Sequence, residues 1–246
     1  MIRFIIVCII VGSFLILSLP VLLIEWIIGK KWPRARDISS LRIIQGVFKL
    51  ILKVSGVKIT EIGRENLPDD RPFLLVANHR SYFDILILYS LMPDLTCFVA
   101  KKEMNRYPVL NLWMRRLYCL FLDREDLRQG MKVIQTAIEY VKGNISVVIF
   151  PEGTRNKNPD ELDMLPFHEG SFRVTTKSGC PLIPAALSNT QEIFEAHFPK
   201  IRPTHVIVDY LSPVDPSSLS RPEQKTLGAV TQQKILERLT ENQRRI

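Results

Sequence analysis

From Phe4 to Ile24 the chain carries no charged side chain, and this apolar run constrains the fold more than any other feature. Wound as an α-helix, at about 1.5 Å per residue, it approaches the thickness of a bilayer core. Membrane attachment is therefore expected. A cleaved signal peptide is the competing expectation, but only Arg3 is basic ahead of the run, no A-x-A pattern follows it, and it is long for such a segment. Pro20 interrupts it, so the helix either spans with a kink or enters one leaflet and turns back.

The formal net charge is +8 over 246 residues, which resembles a nucleic-acid signature until the charges are located. Residues 1 to 58 hold +7 of it, through Arg3, Lys30, Lys31, Arg34, Arg36, Arg42, Lys49, Lys53 and Lys58 against Glu25 and Asp37. Basic residues beside an apolar helix attract anionic lipid headgroups. A DNA-binding patch would need charge on the remainder, which sums to about +1. By the positive-inside rule the excess after the apolar run places the rest of the chain on the cytoplasmic side. Arg42, Gln45, Lys49 and Lys53 share one face of a second helix, Ser39 to Ser55, opposite Leu41, Ile44, Val47, Phe48, Ile51 and Leu52. Such a basic amphipathic helix suits the membrane interface, or else packs on a soluble core. Residues 1–56 are thus expected to be membrane-anchoring helices.

Beyond residue 56, short apolar runs alternate with helical stretches, an α/β signature. Strands are expected at Val57–Ile62, Phe73–Ala77, Thr96–Ala100, Tyr118–Leu122, Ile145–Phe150, Leu182–Leu187 and His205–Tyr210. Several lack alternation, as strands buried on both faces do. Helices are expected at Tyr82–Leu91, Val109–Leu117, Leu127–Lys142, Ser171–Ser178 and about Gln224–Asn242. The expectation for residues 57–246 is one mixed, mostly parallel sheet flanked by helices. Cys8, Cys97, Cys119 and Cys180 form no C-x-x-C pair and lie among apolar neighbours, so buried reduced thiols are expected, with no metal site.

Two strand ends carry reactive side chains. After Phe73–Ala77 comes Asn78-His79-Arg80-Ser81-Tyr82-Phe83-Asp84. An imidazole titrates near neutrality and so can take the proton of an attacking alcohol, while a carboxylate one turn on fixes its tautomer. The bare spacing H-x4-D also arises from a helix-capping Asp beside an ordinary His. After Ile145–Phe150 comes Pro151-Glu152-Gly153-Thr154-Arg155, where glycine lets backbone approach a ligand and arginine offers a fork for phosphate. Glu152 could orient Arg155 or a substrate hydroxyl, and a solvated turn would read the same. Lys101 and Lys102 follow a third strand and Arg124 a fourth. Four strand ends bearing a base, a carboxylate and cations describe a cavity with a proton acceptor beside an anion-binding rim.

With these blocks in order, the sequence resembles the glycerolipid acyltransferases of the 1-acyl-glycerol-3-phosphate acyltransferase type. Gly63 to Pro68 is similar to their lead-in and Asn78-His79 through Asp84 to their N-H-x4-D block. Ala100 to Met104 with Phe121 to Arg124 resembles the second block, Phe150 to Arg155 the F-P-E-G-T-R block, and Cys180 to Pro184 the final proline block. The resemblance covers residues 57 to 212. It implies that His79 deprotonates an sn-2 hydroxyl with Asp84 in support, and that Arg124, Glu152, Gly153, Thr154 and Arg155, with Lys101 or Lys102, hold the phosphate and glycerol of lysophosphatidic acid. It also implies acyl-CoA or acyl-carrier protein as co-substrate, direct attack without an acyl-enzyme, and neither a cofactor nor a metal. The chain departs from the family pattern at Asn156, where Ser is frequent, and at His168-Glu169 after Phe167, where Lys is usual. The second departure bears on headgroup choice rather than reaction class. His197 and His205 match no block and read as structural or solvated.

Two other function classes compete with this one. A serine hydrolase would use Ser81, but that residue lies two positions from His79 and lacks the G-x-S-x-G elbow. A non-catalytic lipid-binding protein would bind anionic lipid without releasing thiol.

Overall fold

The computed structural model describes residues 1–246. Its centre is a seven-stranded sheet made of β1 (Val57–Ile62), β2 (Leu74–Ala77), β3 (Thr96–Lys101), β4 (Leu120–Leu122), β5 (Ser146–Ile149), β6 (Leu182–Ser188) and β7 (Thr204–Tyr210). The order across the sheet is β1-β7-β6-β2-β5-β3-β4. Every neighbouring pair is parallel except β6 with β7. This is the mixed, mostly parallel sheet expected. β2, β5 and β6 are buried along their whole length, which is why their sequences read as unbroken apolar runs.

Three N-terminal helices precede the sheet in the chain, and α4 (Phe83–Leu91), α5 (Pro108–Arg116), α6 (Leu127–Lys142), α7 (Arg173–Ser178), α8 (Arg221–Lys225) and α9 (Leu227–Asn242) follow. The connection from β2 leads one way across the sheet to β3, and that from β5 leads the other way to β6. Because β2 and β5 are neighbours, a crevice opens between their carboxyl ends, the place where open α/β sheets bind ligands.

The N-terminal run forms two helices, α1 (Ile2–Leu17) and α2 (Leu19–Gly29), bent by 47° at the break. The break falls in the turn before Pro20, as the interruption read from sequence requires, and the proline itself sits in the first turn of α2, where its missing N–H is harmless. No single helix is long and apolar enough to cross a membrane, although this bent pair passes as a broken span or re-entrant loop by length and composition. The bend is seated on the α/β domain: Trp113 Nε1 donates to Ser18 Oγ at 2.9 Å, and Phe14 packs on the same indole. Outward from the bend, Ile2, Ile5, Ile9, Leu23, Trp26 and Ile27 are exposed.

Helix α3 (Pro33–Ser55) corrects one expectation. Leu41, Ile44, Ile51 and Leu52 are buried, so its apolar stripe packs into the domain core, chiefly on α4, rather than lying in a membrane interface. Gln45, grouped with the basic face in sequence, is buried as well. Its Nε2 donates to the carbonyls of Tyr89 at 3.1 Å and Met92 at 2.8 Å, capping the end of α4. An amide serves there because those carbonyls have no helical partner of their own.

Candidate active site

Packing β2 beside β5 brings the first two motifs together. Asp84, in the first turn of α4, is fully buried. One of its oxygens, Oδ2, accepts from Arg80 N at 2.7 Å and Ser81 N at 2.8 Å and lies 2.8 Å from His79 Nδ1. With both backbone N–H groups pointed at it, Oδ2 is placed to accept a third bond from Nδ1–H. In that tautomer the other ring nitrogen, Nε2, is the acceptor on the side of the ring away from Asp84. The imidazole stacks on Phe150 with centroids 4.1 Å apart, and backbone hydrogen bonds pin it on both sides. His79 N donates to Glu152 Oε1 at 2.7 Å, and the carbonyl of His79 accepts from Asn156 N at 2.7 Å.

Glu152 therefore holds the base rather than Arg155. Its second oxygen accepts from Leu165 N at 3.2 Å. Burial pushes its carboxyl from the ordinary 4.5 up to about 7, against the opposing pull of those two N–H groups. A folded pKa above the unfolded one means that the native state binds the proton more tightly. The associated stability is complete below about pH 4.5 and is lost as pH rises through 7. In Glu152→Gln that slope disappears. Denaturant titrations at pH 5 and pH 8 should show the variant gaining on the wild type by on the order of 3 kcal/mol between them; a pH-independent gap would contradict this.

Gly153 has φ +69°, and a Cβ there would stand 3.2 Å from the His168 imidazole, so the loop needs glycine. His168 thus occupies the position where sequence indicated a lost cation. Arg155 stacks its guanidinium 3.6 Å from the Tyr82 ring centroid and donates from Nη1 to Glu195 Oε1 at 3.2 Å. Glu195 also accepts from Tyr82 N and Ser81 Oγ, each at 2.7 Å. Ser81 Oγ is thereby committed to Glu195 and Phe83 N, and no hydrogen bond joins it to His79 as a serine hydrolase would need. Burial lowers the pKa of Arg124; Glu103 opposes this, and the like charge of Arg155 adds to it. The two guanidiniums thus sense one another across a common space.

That space is a cavity of about 1830 Å³. His79, Lys101, Arg124, Glu152, Gly153, Thr154 and Arg155 all line it, with Asp84 directly behind the imidazole. Lys102 does not line it. Its ammonium pairs with Asp123 Oδ2 at 2.6 Å, and it is this carboxylate, rather than the lysine, that lines the cavity. One arm of the cavity is apolar, bounded by Val11 and Phe14 of α1, Val47 and Phe48 of α3, and Leu86 and Tyr89 of α4.

Glu195 and Tyr82 were not singled out from sequence. Tyr82 stood inside the first motif without an assigned role, and Glu195 lies 114 positions from its partner Ser81, beyond the reach of any local signal. The two remaining histidines are structural: His197 pairs with Glu192 and His205 with Thr60, each at 2.8 Å. No cluster of His, Cys, Asp and Glu suited to a metal is present.

Comparison with known proteins gives concordant results. A family model described as Acyltransferase matches residues 58–188. The 1-acyl-sn-glycerol-3-phosphate acyltransferase of Saccharomyces cerevisiae is 32% identical over 71% of this chain and 56% of its own length. The protein of that name from Borreliella burgdorferi is 26% identical over 81% of this chain and 79% of its own. The chain thus spans little more than half of the yeast relative. Among solved structures, the 1-acyl-sn-glycerophosphate (LPA) acyltransferase PlsC from Thermotoga maritima superposes with a TM-score of 0.79 at 22% identity, covering 97% of this chain and 96% of that one. At that identity the likeness establishes the fold.

Proposed function

The chain belongs to the acyltransferase family, and from that premise we propose that it moves a fatty-acyl group from an acyl thioester to the sn-2 hydroxyl of 1-acyl-glycerol-3-phosphate, giving phosphatidic acid. The supporting observation is the free Nε2 of a carboxylate-backed imidazole facing one cavity that holds both guanidiniums and an apolar arm. An acceptor with a phosphate, a hydroxyl and an acyl chain is complementary to that combination.

In the reaction, Nε2 of His79 takes the hydroxyl proton as the oxygen attacks the thioester carbonyl. The C–O bond forms, the tetrahedral intermediate collapses with loss of the C–S bond, and the imidazolium returns its proton to the departing thiolate. Asp84 stabilises the imidazolium. A thioester is already activated, so positioning and one proton transfer suffice, and the chemistry calls for no resident cofactor or metal. Arg155, oriented by Tyr82 and Glu195, and Arg124 bind the acceptor phosphate, and Gly153 with Thr154 lets the glycerol approach. Membrane phospholipids are the surroundings: α1 and α2 lie in the bilayer surface, with the catalytic domain on its cytoplasmic side.

Thiol release by purified protein in vesicles, measured across acyl donors and competing acceptors, tests this. Lysophosphatidic acid should support turnover, and other lysolipids and glycerol 3-phosphate should compete poorly. Arg155→Ala should raise KM for lysophosphatidic acid by about tenfold or more, with the weak rate on monoacylglycerol unchanged. Equal damage with both acceptors would remove Arg155 from the phosphate site.

A further inference from the structure

The lining has a second part, the α6–α7 arm, formed by two helices that pack against each other. Arg128 and Lys132 lie four residues apart on α6, and Arg173 and Lys177 four apart on α7. Each pair therefore shares one helix face. All four line the cavity and are exposed to it. Among the cations of the wall, Lys101, Lys142 and Arg155 have carboxylate partners in Glu103, Glu139 and Glu195. These four form no salt bridge, and neither do Arg124 and Lys157.

The carboxylates lining the same cavity are Asp123, Asp126, Glu152 and Glu169, and each is committed elsewhere. Asp123 pairs with Lys102. Asp126 caps α6, accepting from Arg128 N and Gln129 N. Glu152 holds the backbone of His79 and Leu165, and Glu169 accepts from Gly228 N and Ala229 N at the start of α9. The four cations thus outnumber Asp126 and Glu169, the carboxylates at the starts of their two helices, and the arm is net positive. Like charges at i and i+4 repel one another, and here the repulsion occurs twice on adjoining helices with no salt bridge to relieve it.

We infer that the α6–α7 arm is the seat of the nucleotide end of acyl-CoA, its diphosphate and ribose 3′-phosphate lying among Arg128, Lys132, Arg173 and Lys177. This rests on the acyl-transfer reading and names its donor. With the acyl chain along the apolar lining and the acceptor phosphate at Arg124 and Arg155, the cations of α6 and α7 are left in the same cavity to receive the carrier. They stand in the wall of one cavity on two helices that pack together, which suits compact phosphates. An acidic carrier protein would dock over a broad outer face and bring a single phosphodiester inward.

Full-length protein in vesicles gives the test. Arg128→Gln with Lys132→Gln, and Arg173→Gln with Lys177→Gln, should each raise KM for palmitoyl-CoA about tenfold, and all four together further, with kcat and KM for lysophosphatidic acid within about twofold of wild type. Turnover of S-palmitoyl-pantetheine, which carries the same thioester without the nucleotide, should not change. Adenosine 3′,5′-bisphosphate should compete with palmitoyl-CoA on the wild type and lose that effect on the quadruple variant. Unchanged KM for palmitoyl-CoA in an active variant overturns the inference. So do equal losses with the pantetheine thioester, and losses confined to acyl-carrier protein. A wild type that releases no thiol from any donor would instead refute the reaction itself, and calorimetric titration with the bisphosphate would still read the site.

Discussion

His79→Ala is expected to lower kcat about a thousandfold, within the range general-base catalysis supplies, while KM for both substrates stays within about twofold. The ring faces the cavity, and its removal leaves Asp84 Oδ2 still accepting from Arg80 N and Ser81 N. The buried carboxylate therefore keeps its partners, and the melting temperature should move by only a few degrees. Substrate binding depends on other groups, the guanidiniums at the rim and the apolar arm. Thiol release and a thermal melt on the same preparation decide it. Retention of more than a tenth of wild-type turnover in a folded variant would remove His79 from the proton transfer.

Asp84 separates charge from hydrogen bonding. In Asp84→Ala, two backbone N–H groups in a fully buried turn lose their acceptor. Each costs about 1–3 kcal/mol when left unsatisfied, so the variant should be destabilised by several kcal/mol as well as inactive. Asp84→Asn keeps an oxygen at the Oδ2 position. Its amide falls where Oδ1 already lies buried without a partner, so stability should change little. The imidazolium formed during transfer then loses its counter-charge, and kcat should fall about a hundredfold. Denaturant unfolding set beside steady-state rates measures both. Equal stability losses in Ala and Asn would mean that the carboxylate's charge, rather than its oxygen, organises the turn.

The sequence reading placed all seven strands, because a strand buried between helices must be apolar on both faces and so announces itself in a few consecutive residues, as in Leu74–Ala77. It also placed His79, Glu152 and Arg155 at strand ends, since polar side chains after an apolar run have only the sheet edge to occupy. What it could not supply was which strand lies beside which. The crevice exists because β2 pairs with β5, a contact between segments far apart in the chain, and the reversal of β7 against β6 leaves no local mark.

Charges were the least legible feature. Lys101, Lys102, Arg124 and Arg155 look equivalent as a list, yet Lys102 is captured by Asp123 and Arg155 is held on Tyr82 by Glu195. Likewise the hydrophobic period of α3 fixed a helix with one apolar stripe, and only tertiary packing decided that the stripe meets α4 rather than lipid. The reason is the same throughout. Backbone periodicity and burial are set within a few residues, so sequence alone determined the elements, their apolar faces and the chemistry at their ends. The partner of a charge or of an apolar face is settled by competition among everything the fold brings within reach, and that competition exists only in the assembled structure.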